Sequence, residues 1–139
     1  MAAGNLRLEI VTPEKAVVNE DVKIVMSPGV LGEFGVLIGH TPFMTSLKLG
    51  TVRYEDADGK EQLIFVSGGF AEALPDKVTI LAESAERSAD INIERAKAAQ
   101  QRAEERLARE DDETVDRVRA RAALERALHR LKITAARTS

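Results

Sequence analysis

Every glycine and every proline of the chain lies before Ile91, and none follows it. The preceding part consists of short apolar runs broken by glycine or proline, a pattern typical of strands joined by tight turns. The following part is built mainly from Ala, Arg, Glu and Leu, which favour helices. Because the two parts obey different periodicities, we predict two structural units, at residues 1–86 and 87–139.

The first unit shows the alternation that strands require. Apolar residues are separated by charged ones over residues 6–10, which predicts a half-buried strand. Comparable short runs recur as far as Leu81, and Asp56-Ala57-Asp58-Gly59 separates two of them as a hairpin turn. Many short strands at close spacing favour an antiparallel β-sandwich or a barrel over residues 1–86.

Two segments interrupt strand-like runs in this unit. Ser27-Pro28-Gly29 predicts the end of a strand at residues 22–26, which is separate from an earlier short strand at residues 16–18. Ser67-Gly68-Gly69-Phe70 places two glycines inside a strand pattern, so we expect a bulge or a close approach of two backbones there.

The pattern of the second unit predicts a hairpin of two antiparallel helices. The first begins near Asp90 or Asn92, either of which can cap it, and ends near Arg109. The second runs to about Leu131, and the acidic residues 110–113 suit its positive N-terminus. Apolar stripes join the helices: Ile93, Ala96, Ala103 and Leu107 in the first, and Ala120, Leu124, Ala127, Leu128 and Leu131 in the second. Stripes rich in alanine bury little apolar area, and each Å2 buried contributes only ~25 cal/mol. The hairpin is therefore expected to be weakly held and able to open.

Arginine is the most unevenly placed residue type of the second unit. From Arg87 to the end there are 13 of the chain's 20 Lys and Arg residues and 10 of its 23 Asp and Glu residues. The formal net charge is therefore +3 from Arg87 onward and −6 before it. Several arginines share one stripe of each helix: Arg95, Arg102, Arg106 and Arg109 on the first, and Arg119, Arg126 and Arg130 on the second. Such stripes could close on a polyphosphate, pair with the interspersed glutamates or dock on an acidic partner, and spacing alone leaves all three open.

Several functional classes are disfavoured by composition and motifs. The chain has no cysteine, which excludes disulfides, thiolate metal sites and a cysteine nucleophile. Its two histidines, His40 and His129, fall in different units with no nucleophile spaced to either, and no Gly-x-Ser-x-Gly or Gly-x-x-x-x-Gly-Lys motif is present. The second unit has no aromatic residue on which a nucleobase could stack. We therefore predict neither an enzyme, nor a metal site, nor a nucleic-acid partner.

Four segments carry a family resemblance by their order and spacing: Gly32-Glu33-Phe34-Gly35-Val36-Leu37-Ile38-Gly39-His40-Thr41-Pro42, Phe65-Val66-Ser67-Gly68-Gly69, Val78-Thr79-Ile80-Leu81-Ala82, and Ile93-Glu94-Arg95-Ala96-Lys97-Ala98-Ala99 with Arg102-Ala103-Glu104. The chain resembles the ε subunits of bacterial F-type ATP synthases over nearly its whole length. The resemblance implies an N-terminal antiparallel β-sandwich followed by a C-terminal hairpin of two antiparallel helices. This agrees with the fold predicted above from the residue patterns of the two units.

The resemblance also implies a role and partners. It implies a non-catalytic subunit of the central rotor stalk, bound to the γ subunit and to the ring of c subunits. The location implied is peripheral, on the cytoplasmic face of the bacterial cell membrane. The family's Glu-x-Gly-x-x-x-Gly-His loop contacts the c-ring and γ, and the matching residues are Glu33 and His40. Ile38 departs from the proline usual in that loop, which is expected to loosen the backbone without removing the contact.

In the resembled family the helical part regulates the enzyme. The folded tail permits catalysis, whereas a tail extended along γ into the catalytic head blocks rotation in the direction of ATP hydrolysis. In that state five arginines of the second helix would meet acidic surface of the α and β subunits: Arg117, Arg119, Arg121, Arg126 and Arg130.

Some members of the resembled family bind ATP in the folded hairpin through an Ile/Leu-Asp-x-x-Arg-Ala motif. The positions that match the motif and its companions are Glu86, Ile91, Asn92, Arg95, Ala96, Arg102, Arg126 and Arg130. Asn92 replaces the aspartate, so it keeps the helix cap but loses a charge and presents an NH2 donor. The change from aspartate to asparagine would weaken the free energy of ATP binding by about 1–3 kcal/mol. No cofactor is required; the sequence leaves open whether a regulatory ATP binds and whether the tail rests folded or extended.

Overall fold

The computed structural model describes residues 5–137 and divides after Arg87 into two compact units. This division lies one residue beyond the limit expected from the sequence. The outermost residues of the two predicted domains, 1–4 and 138–139, lie outside the described residues. The predicted fold class is confirmed, because the first unit is built from strands and the second from two helices.

Within residues 5–87 the structure contains nine strands. They are β1 (Leu6–Val11), β2 (Ala16–Gly29), β3 (Gly32–Val36), β4 (Phe43–Leu47), β5 (Gly50–Asp56), β6 (Glu61–Val66), β7 (Gly69–Leu74), β8 (Lys77–Ala82) and β9 (Ala85–Arg87). The strands follow the order β1-β8-β7-β4-β2-β5-β6-β9, with β3 beside β2. β1 also pairs with β2, so the sheet folds back on itself around one core. The pairings are antiparallel as predicted, apart from the parallel pair β1–β8.

The sequence-based prediction of two short strands in place of β2 was wrong. β2 runs without interruption through Ser27-Pro28-Gly29, and these three residues pair with β3. Proline lacks an N–H, but the Pro28 carbonyl oxygen still accepts a hydrogen bond from the Lys48 N–H at 3.0 Å. β2 therefore spans both layers of the sandwich, with its first half on β1 and its second half on β3 and β5.

The core lies between the inward faces of these strands. As the alternation over residues 6–10 predicts, Leu6, Leu8 and Ile10 are fully buried while Arg7 is exposed. The other large members of the core are Val18, Val22, Val25, Val36, Leu47, Val52, Tyr54, Ile64, Val66, Val78 and Ile80. All of them belong to strands of the first unit, which therefore has a hydrophobic core of its own.

Two backbones approach closely at Gly69, as the glycine pair led us to expect. Gly68 and Gly69 have φ values of +120° and +140°, a region that side-chain-bearing residues rarely occupy. A Cβ added at Gly69 would collide with the carbonyl oxygen of Leu81 and would lie 2.9 Å from the Cα of Ala82. This contact sets the register between β7 and β8, in which Gly69 pairs with Ala82.

Tyr54 joins the core to the end of the first unit. Its side chain is 1% exposed, and its hydroxyl accepts a hydrogen bond from Arg87 Nη1 at 3.2 Å. Arg87 Nε also donates to the Val17 carbonyl oxygen at 3.2 Å, so one side chain ties β9 to two other strands. Burial, followed by the hydrogen bond with Glu20, raises the pKa of Tyr54 to about 12.

We expect Tyr54→Phe to lower the free energy of unfolding by about 1–2 kcal/mol near neutral pH, because Arg87 Nη1 loses its acceptor. Because the pKa of Tyr54 is raised in the folded state, the stability that Tyr54 contributes is fully present below its ordinary pKa of 10.0. This contribution is lost as the pH rises to about 12. Urea unfolding across this interval should show the decline in wild type and a flatter profile in Tyr54→Phe. An equal decline in both proteins would contradict the assignment to Tyr54.

The second unit contains the two predicted helices, α1 (Ile93–Ala108) and α2 (Arg117–Arg137), after a short 3-10 turn at Ser88–Asp90. Of the two candidate caps, Asn92 is the one used, because its Oδ1 accepts from the Arg95 N–H at 3.0 Å. α2 continues past the end predicted at Leu131. The Thr134 hydroxyl donates to the Leu131 carbonyl oxygen at 2.9 Å, and with no glycine or proline to stop it the helix continues.

The buried residues of the two helices are mostly alanines. Ala96 and Ala103 of α1, and Ala120 and Ala127 of α2, are each at most 4% exposed. Leu128, predicted to lie on the apolar stripe, is instead 46% exposed. The helices pack on each other, and small side chains at buried positions contribute little hydrophobic free energy, which agrees with a weakly held hairpin.

Candidate functional site

Glu33 lies on β3, at the edge of the first unit. Its carboxylate pairs with Arg53 of β5, with 3.1 Å between Oε1 and Nη2. Both side chains are more than two-fifths exposed, so the ion pair contributes little to stability and leaves Glu33 accessible to a partner.

His40 lies in the loop after β3, and its two ring nitrogens have different environments. Nδ1 is 2.6 Å from the Thr41 carbonyl oxygen, so Nδ1 carries the proton that it donates there. Nε2 is buried and has no hydrogen-bond partner in the described part of the chain. The ring packs edge-on against Phe43 at 5.6 Å between centroids. The loop is held to the turn between β7 and β8, because the Gly39 N–H donates to the Pro75 carbonyl oxygen at 2.6 Å.

Large apolar side chains are exposed at both ends of β3, in the turn before it and in the loop after it. A group that we call the loop cluster comprises Val30, Leu31, Leu37, Ile38 and Phe43. Leu31, at the tip between β2 and β3, is 97% exposed. Several large apolar side chains left exposed on one folded unit are typical of a protein–protein interface.

A second exposed apolar group, the strand strip, lies on the outward face of β4, β7 and β8. It consists of Met44, Phe70 and Leu81, which are 70%, 57% and 56% exposed. Phe70 pairs directly with Leu81, and Met44 lies diagonally across from Phe70, so the three share one face. This strip was not predicted from the sequence, because its members become neighbours only once the pairing of distant strands is known.

The turn between the helices is closed by Arg117. Its guanidinium donates to the carbonyl oxygens of Leu107, at 3.1 Å, and Arg109, at 2.6 Å. These carbonyls belong to the C-terminus of α1 and have no partner within the helix. In the folded hairpin Arg117 therefore stabilises the turn between α1 and α2. Of the other arginines predicted to contact partners, Arg119 and Arg121 are exposed, and Arg126 and Arg130 are half-buried.

Acidic residues shape the same turn. The Asp112 carboxylate accepts from the Thr114 hydroxyl at 2.6 Å and from the Thr114 N–H at 2.9 Å. These two bonds, with a smaller effect from the charges of Arg109 and Arg117, hold the pKa of Asp112 below its usual range. The Asp116 carboxylate caps α2 by accepting from the Arg119 N–H at 3.1 Å.

The residues predicted to bind ATP lie on several elements. Asn92 caps α1, with the buried Ile91 before it and the buried Ala96 one turn on. Arg95 and Arg102 are exposed on α1. Arg126 and Arg130 lie on α2, and Glu86 lies on β9 of the first unit.

The structure assembles a different set of arginines around a groove within the helical unit. The groove has a volume of about 560 Å3 and lies at the turn end of the hairpin. It is lined by Arg106 and Arg109 of α1, by Thr114, Val115 and Asp116 of the turn, and by Arg119, Ala120, Ala122, Ala123 and Arg126 of α2. Of the predicted ATP-binding residues, only Arg126 lines it. None of the four arginines forms an ion pair in the described residues, so at these positions the arginines do not pair with the interspersed glutamates.

Across residues 5–137, no group of three or more His, Asp or Glu side chains is placed to hold a metal ion. Neither described helix is long and apolar enough to span a membrane.

Comparison with known families assigns both units. Residues 5–88 match the β-sandwich domain of the ATP synthase delta/epsilon chain, and residues 89–135 match the long α-helix domain of the same chain. The chain is 58% identical over 131 residues to the ATP synthase epsilon chain of Desulforapulum autotrophicum, covering 94% of this chain and 96% of that one. It is 65% identical over 105 residues to the epsilon chain of Desulfosudis oleivorans, covering 76% and 79%.

Solved structures show the same fold. A chain of the mitochondrial ATP synthase of Euglena gracilis, from an assembly of OSCP, F1 and c-ring, matches with a TM-score of 0.78 at 25% identity, covering 100% of this chain and 84% of that one. A chain from the central stalk and c-ring of the Tetrahymena thermophila enzyme matches with a TM-score of 0.54 at 10% identity, covering 96% of each chain, which shows the fold alone. The two matching domains and the identity to epsilon chains over most of the length establish that the chain belongs to the ATP synthase epsilon chain family, whose members are non-catalytic subunits of that enzyme.

Proposed function

We propose that this epsilon chain is part of the central rotor stalk of a bacterial F-type ATP synthase, on the cytoplasmic face of the membrane. Its first unit docks on γ and the c-ring, and its helical unit regulates ATP hydrolysis. The observation that carries the docking part is the exposed apolar surface of the first unit, formed by the loop cluster and the strand strip. Exposed Leu31 and Met44 would be unfavourable in water unless a partner covers them.

Polar groups beside the loop cluster supply specificity to this docking. His40 fixes the loop through the hydrogen bond between its Nδ1 and the Thr41 carbonyl oxygen, so the loop would meet γ or the c-ring in one conformation. Glu33, held on the surface by Arg53, offers a carboxylate next to the apolar loop. Ile38, where the family has proline, is 37% exposed and adds to the apolar contact.

The helical unit is suited to two states. Its helices pack through alanines, and its turn is held by the two hydrogen bonds of Arg117 to carbonyl oxygens of α1. When α2 leaves α1, Arg117, Arg126 and Arg130 become accessible beside Arg119 and Arg121, which are already exposed. These five residues then meet acidic surface of the α and β subunits, where bidentate arginine contacts to carboxylates are strong.

Removing two of these arginines should relieve inhibition. We expect Arg126→Ala/Arg130→Ala to raise ATP hydrolysis by the reconstituted catalytic head several-fold over the wild-type complex, because the extended tail loses its contacts. The matched control is Lys15→Ala/Lys60→Ala, which removes the same charge from exposed positions of the first unit and should leave inhibition unchanged. Equal inhibition by wild type and the arginine variant would contradict the contact set.

A regulatory ATP is the second part of the helical proposal. Asn92 already caps α1, so the site keeps its backbone geometry but lacks the carboxylate of the family motif. Isothermal titration of the full chain with Mg-free ATP should show weak binding, and Asn92→Asp should tighten it about tenfold. If neither protein binds ATP, the helical unit has no regulatory ATP site, and its arginines serve contacts with the partner subunits.

A further inference from the structure

We infer that Arg117 sets the balance between the folded and the extended helical unit, and that its loss acts in the opposite direction to the loss of neighbouring arginines. Arg117 is the first residue of α2. Its Nη1 donates to the Leu107 carbonyl oxygen at 3.1 Å, and its Nη2 donates to the Arg109 carbonyl oxygen at 2.6 Å. One side chain therefore ties the beginning of α2 to the end of α1.

The end of α1 is a favourable place for a guanidinium group. The last carbonyl oxygens of a helix have no donor within the helix, and they lie at the negative end of its dipole. A guanidinium group is permanently charged and presents its N–H groups in a fixed fork, so it can donate to two acceptors at once. Hydrogen bonds from a charged donor are about twice as strong as those between neutral groups. Arg117 is also half-buried, which reduces the screening of its charge by water.

The other side-chain hydrogen bonds described for this turn are local. The Asp112 carboxylate bonds with Thr114, two residues on, and the Asp116 carboxylate bonds with the Arg119 N–H, three residues on. Such bonds can persist when α2 moves away from α1, since both partners move together. The acceptors of Arg117 lie ten and eight residues earlier, at the end of the other helix. Separation of the helices must therefore break the hydrogen bonds of Arg117.

The packing between the helices makes this contribution large in proportion. The buried positions are mostly small, as at Ala96 and Ala103 of α1 and at Ala120 and Ala127 of α2. Burying an alanine side chain removes little apolar area from water, so each contributes little free energy. The two charge-assisted hydrogen bonds are then a substantial part of what opposes opening. Their loss should raise the ratio of open to closed hairpin about tenfold.

The direction of the effect follows from a comparison of the two states. In the extended state of the proposed function, Arg117 is one of five arginines that share the contact with the partner subunits. Its replacement therefore raises the free energy of the folded state more than that of the extended state. Arg119 and Arg121 are already exposed in the folded hairpin, so replacing them affects the extended state alone. This regulatory consequence rests on the proposed function, whereas the effect on the isolated chain does not.

Hydrogen exchange of the isolated full chain tests the role of Arg117 without any partner. Arg117→Gln should speed exchange of the protected N–H groups of α1 and α2 about tenfold, because helices depend on packing for most of their stability. Exchange in the strands of the first unit should not change. Arg117→Lys keeps the charge but not the fork, so its exchange rates should lie between those of wild type and Arg117→Gln.

The matched control is Lys132→Gln, which removes the same charge from an exposed position of α2. It should keep the wild-type exchange rates. Equal rates in Arg117→Gln and Lys132→Gln would overturn the inference, because the two hydrogen bonds would then not limit opening.

ATP hydrolysis by the reconstituted catalytic head tests the direction of the effect. Arg117→Gln should lower the hydrolysis rate several-fold below that with the wild-type chain, whereas Arg119→Gln/Arg121→Gln should raise it. Relief of inhibition by both variants would overturn the opposite direction inferred for Arg117. Faster exchange in Arg117→Gln, with no inhibition by the wild-type chain, would support the role of Arg117 in the hairpin and contradict the proposed regulation.

Discussion

Gly69→Ala should destabilise the first unit by about 3–4 kcal/mol. The new Cβ meets the Leu81 carbonyl oxygen and the Ala82 Cα, which are backbone atoms of β8 and cannot rotate away. The residue must also hold a φ of +140°, which alanine rarely adopts. β7 and β8 would have to separate, and both carry core residues such as Ala71 and Ile80. Thermal unfolding should show the midpoint falling by roughly 10–20 °C.

Gly39→Ala separates the two causes of this loss. Gly39 also has a positive φ, of +81°, but a Cβ added there meets no atom within 4 Å. Its substitution should therefore cost only the backbone strain, about 1 kcal/mol. If the two alanine variants unfold at the same temperature, the close approach at Gly69 is not what limits that position.

The second large effect concerns docking of the first unit. Met44→Glu/Phe70→Glu should weaken binding to γ by about a hundredfold or more, because two carboxylates would be buried at the interface without partners. Both wild-type side chains are more than half exposed, so the fold should tolerate the change. Binding of immobilised γ, alone and with the c-ring, measures the effect.

Lys15→Gln/Lys60→Gln is the control for charge in this experiment. It alters the net charge by the same −2, at exposed positions outside the apolar surface. Wild-type affinity in the control together with lost affinity in the glutamate variant would place the interface at the strand strip. Unchanged binding of the glutamate variant would show that γ contacts another face of the unit.

The fold class was predictable because it depends on local signals. Alternating side chains marked the strand at residues 6–10, and the absence of glycine and proline after Ile91 marked the helices. The strand break predicted at Ser27–Gly29 failed because hairpin pairing with β3 and a longer-range pairing with β4 outweighed the local preference of Pro28 and Gly29.

The candidate sites were only partly predictable, for a similar reason. Glu33 and His40 were predicted from the resemblance of their loop to the family, and the arginine stripes were predicted from helical spacing, which is a local property of the chain. The partnership of Met44, Phe70 and Leu81 requires the register of three strands. The role of Arg117 requires the geometry of the turn, in which its guanidinium reaches carbonyl oxygens ten and eight residues earlier.

Regulation by the helical unit is tested by the rate of ATP hydrolysis of a reconstituted head of α, β and γ subunits. The full chain is compared with a chain ending at Arg87, which retains the entire core of the first unit. We predict that both bind γ with equal affinity, and that only the full chain lowers the hydrolysis rate several-fold. Equal inhibition by the two chains, or none by either, would contradict regulation by the helical unit.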